Sequence, residues 1–399
     1  MSDSLSTLFE SVAYKKLSMV DLPQQGSHQH ELNASGALQA FFQHQAAEGD
    51  IEWRYFSDSR DPLRDEGRFK CYDPRAKSYA RTGRSEWRVY YTGEFLRNTA
   101  PGDTLILARG HDGRIFGLVF EEDSGWLRTA LDFFSGMAPT EQGQLIPRPD
   151  LDASRLDAVR QYFLDELDLP VEAGVAASDT ELVVKRFGDT FPQTKVMSAF
   201  AREQTDSDLL DDDATLLAWL DREEELFRAL EHREVAGRLE AGFAAVEDFL
   251  TYSLSVQNRR KSRMGHALQN QLAALFDLRD IRYTAQAVTE GKASADFLFP
   301  GKAQYHNAAY PDSLLVFLGA KSTCKDRWRQ ILSEADRIPQ KHLCTLEPGI
   351  SPDQTDEMRS RQVRLVLPAR LHGTYTAGQR DQILSVRAFT TMVKAIPGP

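Results

Sequence analysis

The chain has 399 residues, 41% hydrophobic and 27% charged, a balance that points to a water-soluble protein too long for one ordinary core, so two domains are expected. No apolar run approaches the length a membrane helix needs, and the opening MSDSLSTLFESVAYKK lacks the apolar segment of a secretion signal, so no membrane role is expected. The net charge of −11 opposes nucleic acid only as a global sum: acids cluster at Asp206, Asp208, Asp211, Asp212 and Asp213, while bases gather in NRRKSR (258–263), KDRWR (325–329) and RTGRSEWR (81–88), and local cation placement decides such binding.

Taken in order, the chain opens with a β-like half. From Tyr14 to about Phe134, short runs rich in β-branched and aromatic residues (WRVYY at 87–91, DTLILA at 103–108, RIFGLVF at 114–120) alternate with turn signals, which predicts a small barrel or sandwich. A polar, helical stretch with Pro147, Pro149 and Pro170 follows, and VEAGVAASD (171–179) reads as a linker between domains of residues 1–170 and 180–399. Apolar residues then recur at helical spacing over Leu216–Val256, predicting two or three helices, and MGHALQNQLAALFDL (264–278) predicts another. ADFLFP (295–300), SLLVFLGAK (313–321) and QVRLVLP (362–368) suit buried strands, with DRWRQILSEADRI (326–338) helical between the last two. Helices alternating with buried strands predict an α/β or α+β domain around a central mixed sheet. Three scattered cysteines, Cys71, Cys324 and Cys344, fit a reducing cytoplasm and argue against structural zinc.

Three residues carry the candidate chemistry. Asp296 opens one predicted strand, Lys321 closes the next, and Glu334 lies on the helix that follows. Two carboxylates can hold Mg²⁺, which polarises a phosphate and acidifies a bound water, while a lysine stabilises developing negative charge: these are the needs of phosphodiester hydrolysis. On spacing alone the same residues read equally as solvated strand ends and an exposed helix position.

The stretches VQNRRKSRMGHALQNQLAALF (256–276), QAVTEGKASADFLFP (286–300) and KSTCKDRWRQILSEAD (321–336) resemble the EcoRII-type endonucleases nearly residue for residue. The resemblance implies a PD-(D/E)XK nuclease fold with a mixed central sheet, Mg²⁺ as cofactor, Asp296 and Glu334 as metal ligands, and a catalytic set of Asp296, Lys321, Glu334 and Tyr305. That family lacks the usual acid two positions before the lysine and uses a glutamate further on; here Gly319 and Glu334 repeat the departure. Gln269 stands where relatives have a helical glutamate, which removes a carboxylate that could support the site.

DNA readers follow from the same match. Lys325, Asp326 and Arg327 come just after the catalytic lysine; arginine suits guanine O6 and N7, and aspartate the cytosine amine, so they are expected to read adjacent C·G pairs. Arg259, Arg260, Lys261 and Arg263 are expected to hold phosphates. The N-terminal half carries a second resemblance, in YKKLSMVD (14–21), SHQ (27–29) and TGRSEWRV (82–89), to the effector domain of the same family, an all-β-rich DNA-binding pseudobarrel. It implies His28, Arg84, Glu86 and Arg88 as DNA readers, against an alternative in which an exposed hairpin simply pairs its arginines and glutamates across strands.

The expectation is a type II restriction endonuclease acting as a homodimer on double-stranded DNA at a short symmetric site similar to CCWGG. It includes restraint by the N-terminal domain, a cognate cytosine methyltransferase acting on the same site, and a bacterial cytoplasmic setting. A catalytically inactive DNA-binding regulator and a methylation-dependent endonuclease are the alternatives. The first predicts binding without Mg²⁺-dependent cleavage; the second needs a pocket for a flipped, modified base.

Overall fold

The computed structural model describes residues 9–22, 31–34, 36–58, 60–79, 83–93, 98–133, 137–139, 144–147, 176–205, 211–290, 294–322, 324–347 and 349–397. The chain forms two compact units that divide in the main between Glu172 and Ala173.

The N-terminal unit is a nine-stranded mixed sheet in the order β2-β5-β4-β3-β7-β6-β1-β9-β8. Its strands are β1 (Phe9–Lys16), β2 (Glu31–Asn33), β3 (Ala47–Ser57), β4 (Arg60–Tyr72), β5 (Arg88–Tyr91), β6 (Thr104–Gly110), β7 (Ile115–Phe120), β8 (Met137–Pro139) and β9 (Gln144–Pro147), with α1 (Ala37–Phe41) and α2 (Gly125–Phe133) between them. Only β3 and β7 pair in parallel; the other recorded pairs are antiparallel. The three runs read as strands from their β-branched and aromatic content are β5, β6 and β7. Trp53 fixes how β3 lies on β7: a Cβ at Gly117 would stand 2.1 Å from the indole, so glycine is what lets the ring cross the strand. Its Nε1 donates to the Thr92 carbonyl at 2.9 Å.

The helical stretch expected after Phe134, and most of the expected linker, lie outside the described residues. The end of that linker is corrected: Ala177, Ser178 and Asp179 open helix α3 (Ala177–Phe187). Asp179 is buried and accepts from both terminal nitrogens of Arg222, at 2.8 and 3.0 Å. A small, polar composition looks flexible until a tertiary ion pair fixes it.

In the C-terminal unit α4 (Thr194–Glu203), α5 (Asp212–Ala241) and α6 (Val246–Leu278) follow. The Asp211 carboxylate caps α5 by accepting the Ala214 N–H at 3.0 Å, and the helix ends at Gly242, whose φ of 73° suits glycine. The helices expected over 216–256 and 264–278 are thus one long helix and the whole of a second, because no cap or proline interrupts the run from Val246 to Leu278.

The remaining elements are β10 (Thr284–Val288), β11 (Ser294–Phe299), α7 (Lys302–His306), β12 (Val316–Ala320), β13 (Lys341–Cys344), α8 (Pro352–Ser360), β14 (Val363–Val366), α9 (Ala377–Arg380) and α10 (Val386–Lys394). The five strands lie in the order β10-β11-β12-β13-β14, antiparallel up to β12 and parallel beyond it, so the expected mixed sheet is present. Both faces are covered, which is why its strands read as continuous apolar runs. On one side Leu272 and Phe276 of α6 and Phe389 of α10 meet Phe297, Phe299 and Leu318; on the other Trp328, Ile331 and Met358 meet Phe317, Leu343 and Leu365. The helix expected over 326–338 is a shorter 3-10 segment, Lys325–Ser333. No described helix is long and apolar enough to cross a membrane.

Candidate active site

Asp296, Lys321 and Glu334 come together at one end of the sheet. The β11–β12 ladder is recorded for Phe297↔Leu318 to Phe299↔Val316; just past it the Asp296 carboxylate accepts the Ala320 N–H at 2.8 Å. The same oxygen, Oδ2, accepts from Lys321 Nζ at 3.1 Å. The lysine side chain is 22% exposed and the aspartate's 6%, so the pair faces a restricted opening.

The other oxygen, Oδ1, accepts from two amides. Gln269 of α6 donates at 2.9 Å and Gln286 of β10 at 3.2 Å. Gln269 therefore braces Asp296. Gln286 was missed in the sequence. Only the β10–β11 register reveals it: Ala285 pairs with Phe297 and Ala287 with Ala295, which brings position 286 across from Asp296. Gln286 takes a φ of 49°, an uncommon backbone for a non-glycine residue that is often tied to a functional demand.

Glu334 does not sit within the helix expected for it. It follows the 3-10 segment in extended backbone (φ −102°, ψ 137°). Burial pushes its carboxyl up to about 7, and the negative charge of Asp296 adds to the rise while Lys321 and Lys341 oppose it. Its Oε2 is buried and has no hydrogen-bond partner among the described residues. Glu334 sets a second carboxylate with an orphaned oxygen beside Asp296, a donor pair of the kind Mg²⁺ takes; each oxygen of Asp296 already accepts two hydrogen bonds, so the ion would reach it by displacing one of those donors. Among the described residues no group of three or more His, Cys, Asp or Glu side chains forms a closed metal cage.

Gly319 explains why the second acid is not on the strand. A Cβ there would stand 2.9 Å from Cγ2 of the buried Ile331. Gly319→Asp is expected to destabilise the unit by about 1–3 kcal/mol, the usual cost of overpacking a core. A denaturant melt superimposing on wild type would mean that Ile331 gives way freely.

Tyr305 is brought elsewhere: it is 1% exposed, and its hydroxyl donates to Glu290 and receives the Arg337 N–H. No hydrogen bond joins it to Asp296, Lys321 or Glu334 among the described residues.

The three arginines expected to hold phosphates on α6 have acidic partners on α5. Arg263 is buried against Phe227 and pairs with Glu224; Arg260 pairs with Glu231 at 2.6 Å; Arg259 pairs with Glu234 and covers the Phe191 ring at 3.9 Å. The acidic face of α5 neutralises these arginines, so they hold two helices together. The side chains of Lys261, Lys325, Asp326 and Arg327 lie outside the described residues, as does His28. Arg88 is bound to Glu86 at 2.6 Å and to Glu31 at 2.8 Å, and Arg75 holds Glu86 at 2.7 Å, an ion-pair network of the kind the alternative reading describes. Arg84 is exposed.

A lysine and a carboxylate on neighbouring strands, with a second carboxylate close by, occur within residues 227–390, which match the family model described as EcoRII C terminal. This segment, 164 of the 399 residues, is similar to that family's C-terminal domain. One relative is the type II restriction enzyme EcoRII of Escherichia coli, 42% identical over 200 residues; the match spans half of this chain and half of that enzyme. Among solved structures, metal-depleted Ecl18kI in complex with uncleaved DNA has a TM-score of 0.43 at 19% identity, over 54% of this chain and 82% of that one. The restriction endonuclease PspGI–substrate DNA complex has a TM-score of 0.44 at 14% identity, over 54% and 95%.

Proposed function

We propose that the chain is a type II restriction endonuclease whose C-terminal unit, of PD-(D/E)XK kind, makes Mg²⁺-dependent double-strand cuts in DNA at a short C/G-rich site similar to CCWGG. The observation that carries this reading is the Asp296–Lys321–Glu334 constellation, set in a segment with close sequence likeness to EcoRII. Asp296 and Glu334 would hold the ion, and when bound it polarises the phosphate and supplies an acidified water. Lys321, tethered to Asp296, would donate to the phosphate oxygens as charge builds. Gln269, Gln286 and the Ala320 N–H keep the Asp296 carboxylate fixed meanwhile.

A two-fold site is matched most simply by a homodimer. Val246, Phe249, Leu250 and Leu254 are exposed at helical spacing along the start of α6, an apolar stripe that supports self-association. Lys325, Asp326 and Arg327 remain the proposed base readers. The N-terminal unit, through His28, Arg84, Glu86 and Arg88, is proposed as an effector domain that restrains cutting until it binds another copy of the site. A cytosine methyltransferase acting on the same site would protect host DNA.

Digestion of methylated and unmodified plasmid in Mg²⁺ or EDTA, with the ends sequenced, tests this directly. The expected outcome is discrete, Mg²⁺-dependent cuts blocked by methylation; specific binding without cutting would favour the inactive regulator. For restraint, a fragment must keep α3, because Asp179 anchors it to Arg222. A chain starting near Val171 is expected to cut single-site DNA several-fold faster than the full chain, by the reciprocal of the open fraction. Equal rates for a folded, dimeric fragment would remove restraint and leave the nuclease reading standing.

A further inference from the structure

The turn that carries Glu334 is held from three directions. Ala335 has a φ of 54°, strained for a residue with a side chain, and the hydrogen bonds around it fix that shape. From the β10–β11 connection, Thr289 Oγ1 accepts the Ala335 N–H at 3.3 Å and Glu290 Oε2 accepts the Asp336 N–H at 3.2 Å. From α7, the Tyr305 hydroxyl donates to the other oxygen of Glu290 and accepts the Arg337 N–H. From β13, Lys341 reaches in with Nζ donating to the carbonyls of Ala335 at 2.6 Å and Ile338 at 2.8 Å. Lys341 is only 4% exposed, an unusual place for a lysine, and its recorded hydrogen bonds go to main-chain carbonyls.

We infer that Glu290, Tyr305 and Lys341 form a clamp on residues 335–338 that sets the position of Glu334, making Tyr305 and Lys341 positioning residues for metal binding that act through the main chain. The inference rests on the proposed metal role of Glu334. A half-buried carboxylate whose Oε2 has no hydrogen-bond partner among the described residues depends on its backbone for its place, and the clamp fixes that backbone. Partners that orient metal ligands typically change metal affinity by about 10–100-fold when removed.

The test uses the full-length chain with Tyr305→Phe, which keeps the ring and removes one hydroxyl, and Lys341→Met, which removes the ammonium at similar length. Mn²⁺ binding is titrated by calorimetry in the presence of cognate DNA made uncleavable at the scissile phosphate, and amide hydrogen exchange is followed over residues 334–338. Both variants are expected to bind Mn²⁺ about tenfold or more weakly, to exchange faster at Ala335, Asp336 and Arg337, and to bind DNA without metal as wild type does. Wild-type Mn²⁺ affinity in folded Tyr305→Phe and Lys341→Met would overturn the clamp and leave the nuclease reading intact. Tyr305→Phe alone settles the matter if Lys341→Met does not fold. A wild-type chain that neither binds Mn²⁺ nor cuts DNA would instead overturn the nuclease reading, and the clamp's metal role with it. Faster cleavage loss with unchanged Mn²⁺ affinity would place Tyr305 at the reacting atoms and also sink the clamp.

Discussion

Lys321→Ala and Glu334→Gln are expected to abolish Mg²⁺-dependent cutting while leaving a folded protein that still binds its site. Lys321 is the cation tied to Asp296, and removing one preorganised donor to a developing oxyanion commonly costs about 10²–10³ in rate. Glu334→Gln keeps shape and volume but removes the negative charge that would balance a cation. It also makes a prediction that needs no DNA. The folded carboxyl titrates near 7 against an ordinary 4.5, because burial disfavours its charge. Between those values the unfolded chain has lost the proton while the native state keeps it, so wild-type stability falls as pH rises through the window. In EDTA, Glu334→Gln is therefore expected to melt with wild type below about pH 4.5 and above it at pH 8. Parallel pH profiles would show that Glu334 ionises as it would in water, and wild-type cleavage by Glu334→Gln would end its candidacy as a metal ligand.

Arg263→Ala is expected to cost about 3–5 kcal/mol of stability, the range for breaking a buried ion pair by removing one partner. Arg263 and Glu224 are both buried, and the charge of Arg263 also offsets burial at Glu223. Arg228 holds Glu224 from the same helix at 2.7 Å, which should keep the loss toward the lower bound. Arg260, whose side chain is 39% exposed, is expected to lose less when truncated, because Arg228 stays 3.7 Å from the buried Glu231 carboxylate. Urea unfolding of both variants separates the two cases. If instead Arg263→Ala unfolds like wild type but shows a flatter dependence of DNA affinity on salt, the arginine serves phosphate after all.

That contrast shows where sequence reading succeeds and where it stops. The strands carrying Asp296 and Lys321 were legible because a sheet covered on both faces leaves unbroken apolar runs, and ADFLFP and SLLVFLGAK are such runs. β13 was not legible: KHLC places Lys341 and His342 at 4% and 3% exposure, and no periodicity announces a lysine buried to hold two carbonyls. The cluster RRKSR reads in sequence as a patch of unpaired cations because its acidic partners lie on another helix, some thirty residues away (Arg260 and Glu231 are 29 apart), and a pairing at that range is a property of packing. Glu334 was found by likeness to a family, yet its conformation and the rise in its titration depend on Ile331, Ala335 and Asp296 being where the fold puts them. Gln286 escaped notice because only the hairpin register turns an ordinary amide into a partner for Asp296.

One carboxylate in this fold is proposed as reagent and is built in as stitch. Asp296 accepts the Ala320 N–H at the point where two strands leave their ladder, so the sheet's own closure depends on the group proposed to meet the ion. A residue kept only for its chemistry is free to drift once the chemistry is no longer selected; this one is not, because replacing it by an apolar residue would strand a buried amide and cost fold as well as rate. In descendants of such a chain that turn from cutting DNA to merely holding it, the first losses are therefore expected at Lys321 or Glu334, with the aspartate persisting as a relic whose presence says little about whether the enzyme still works.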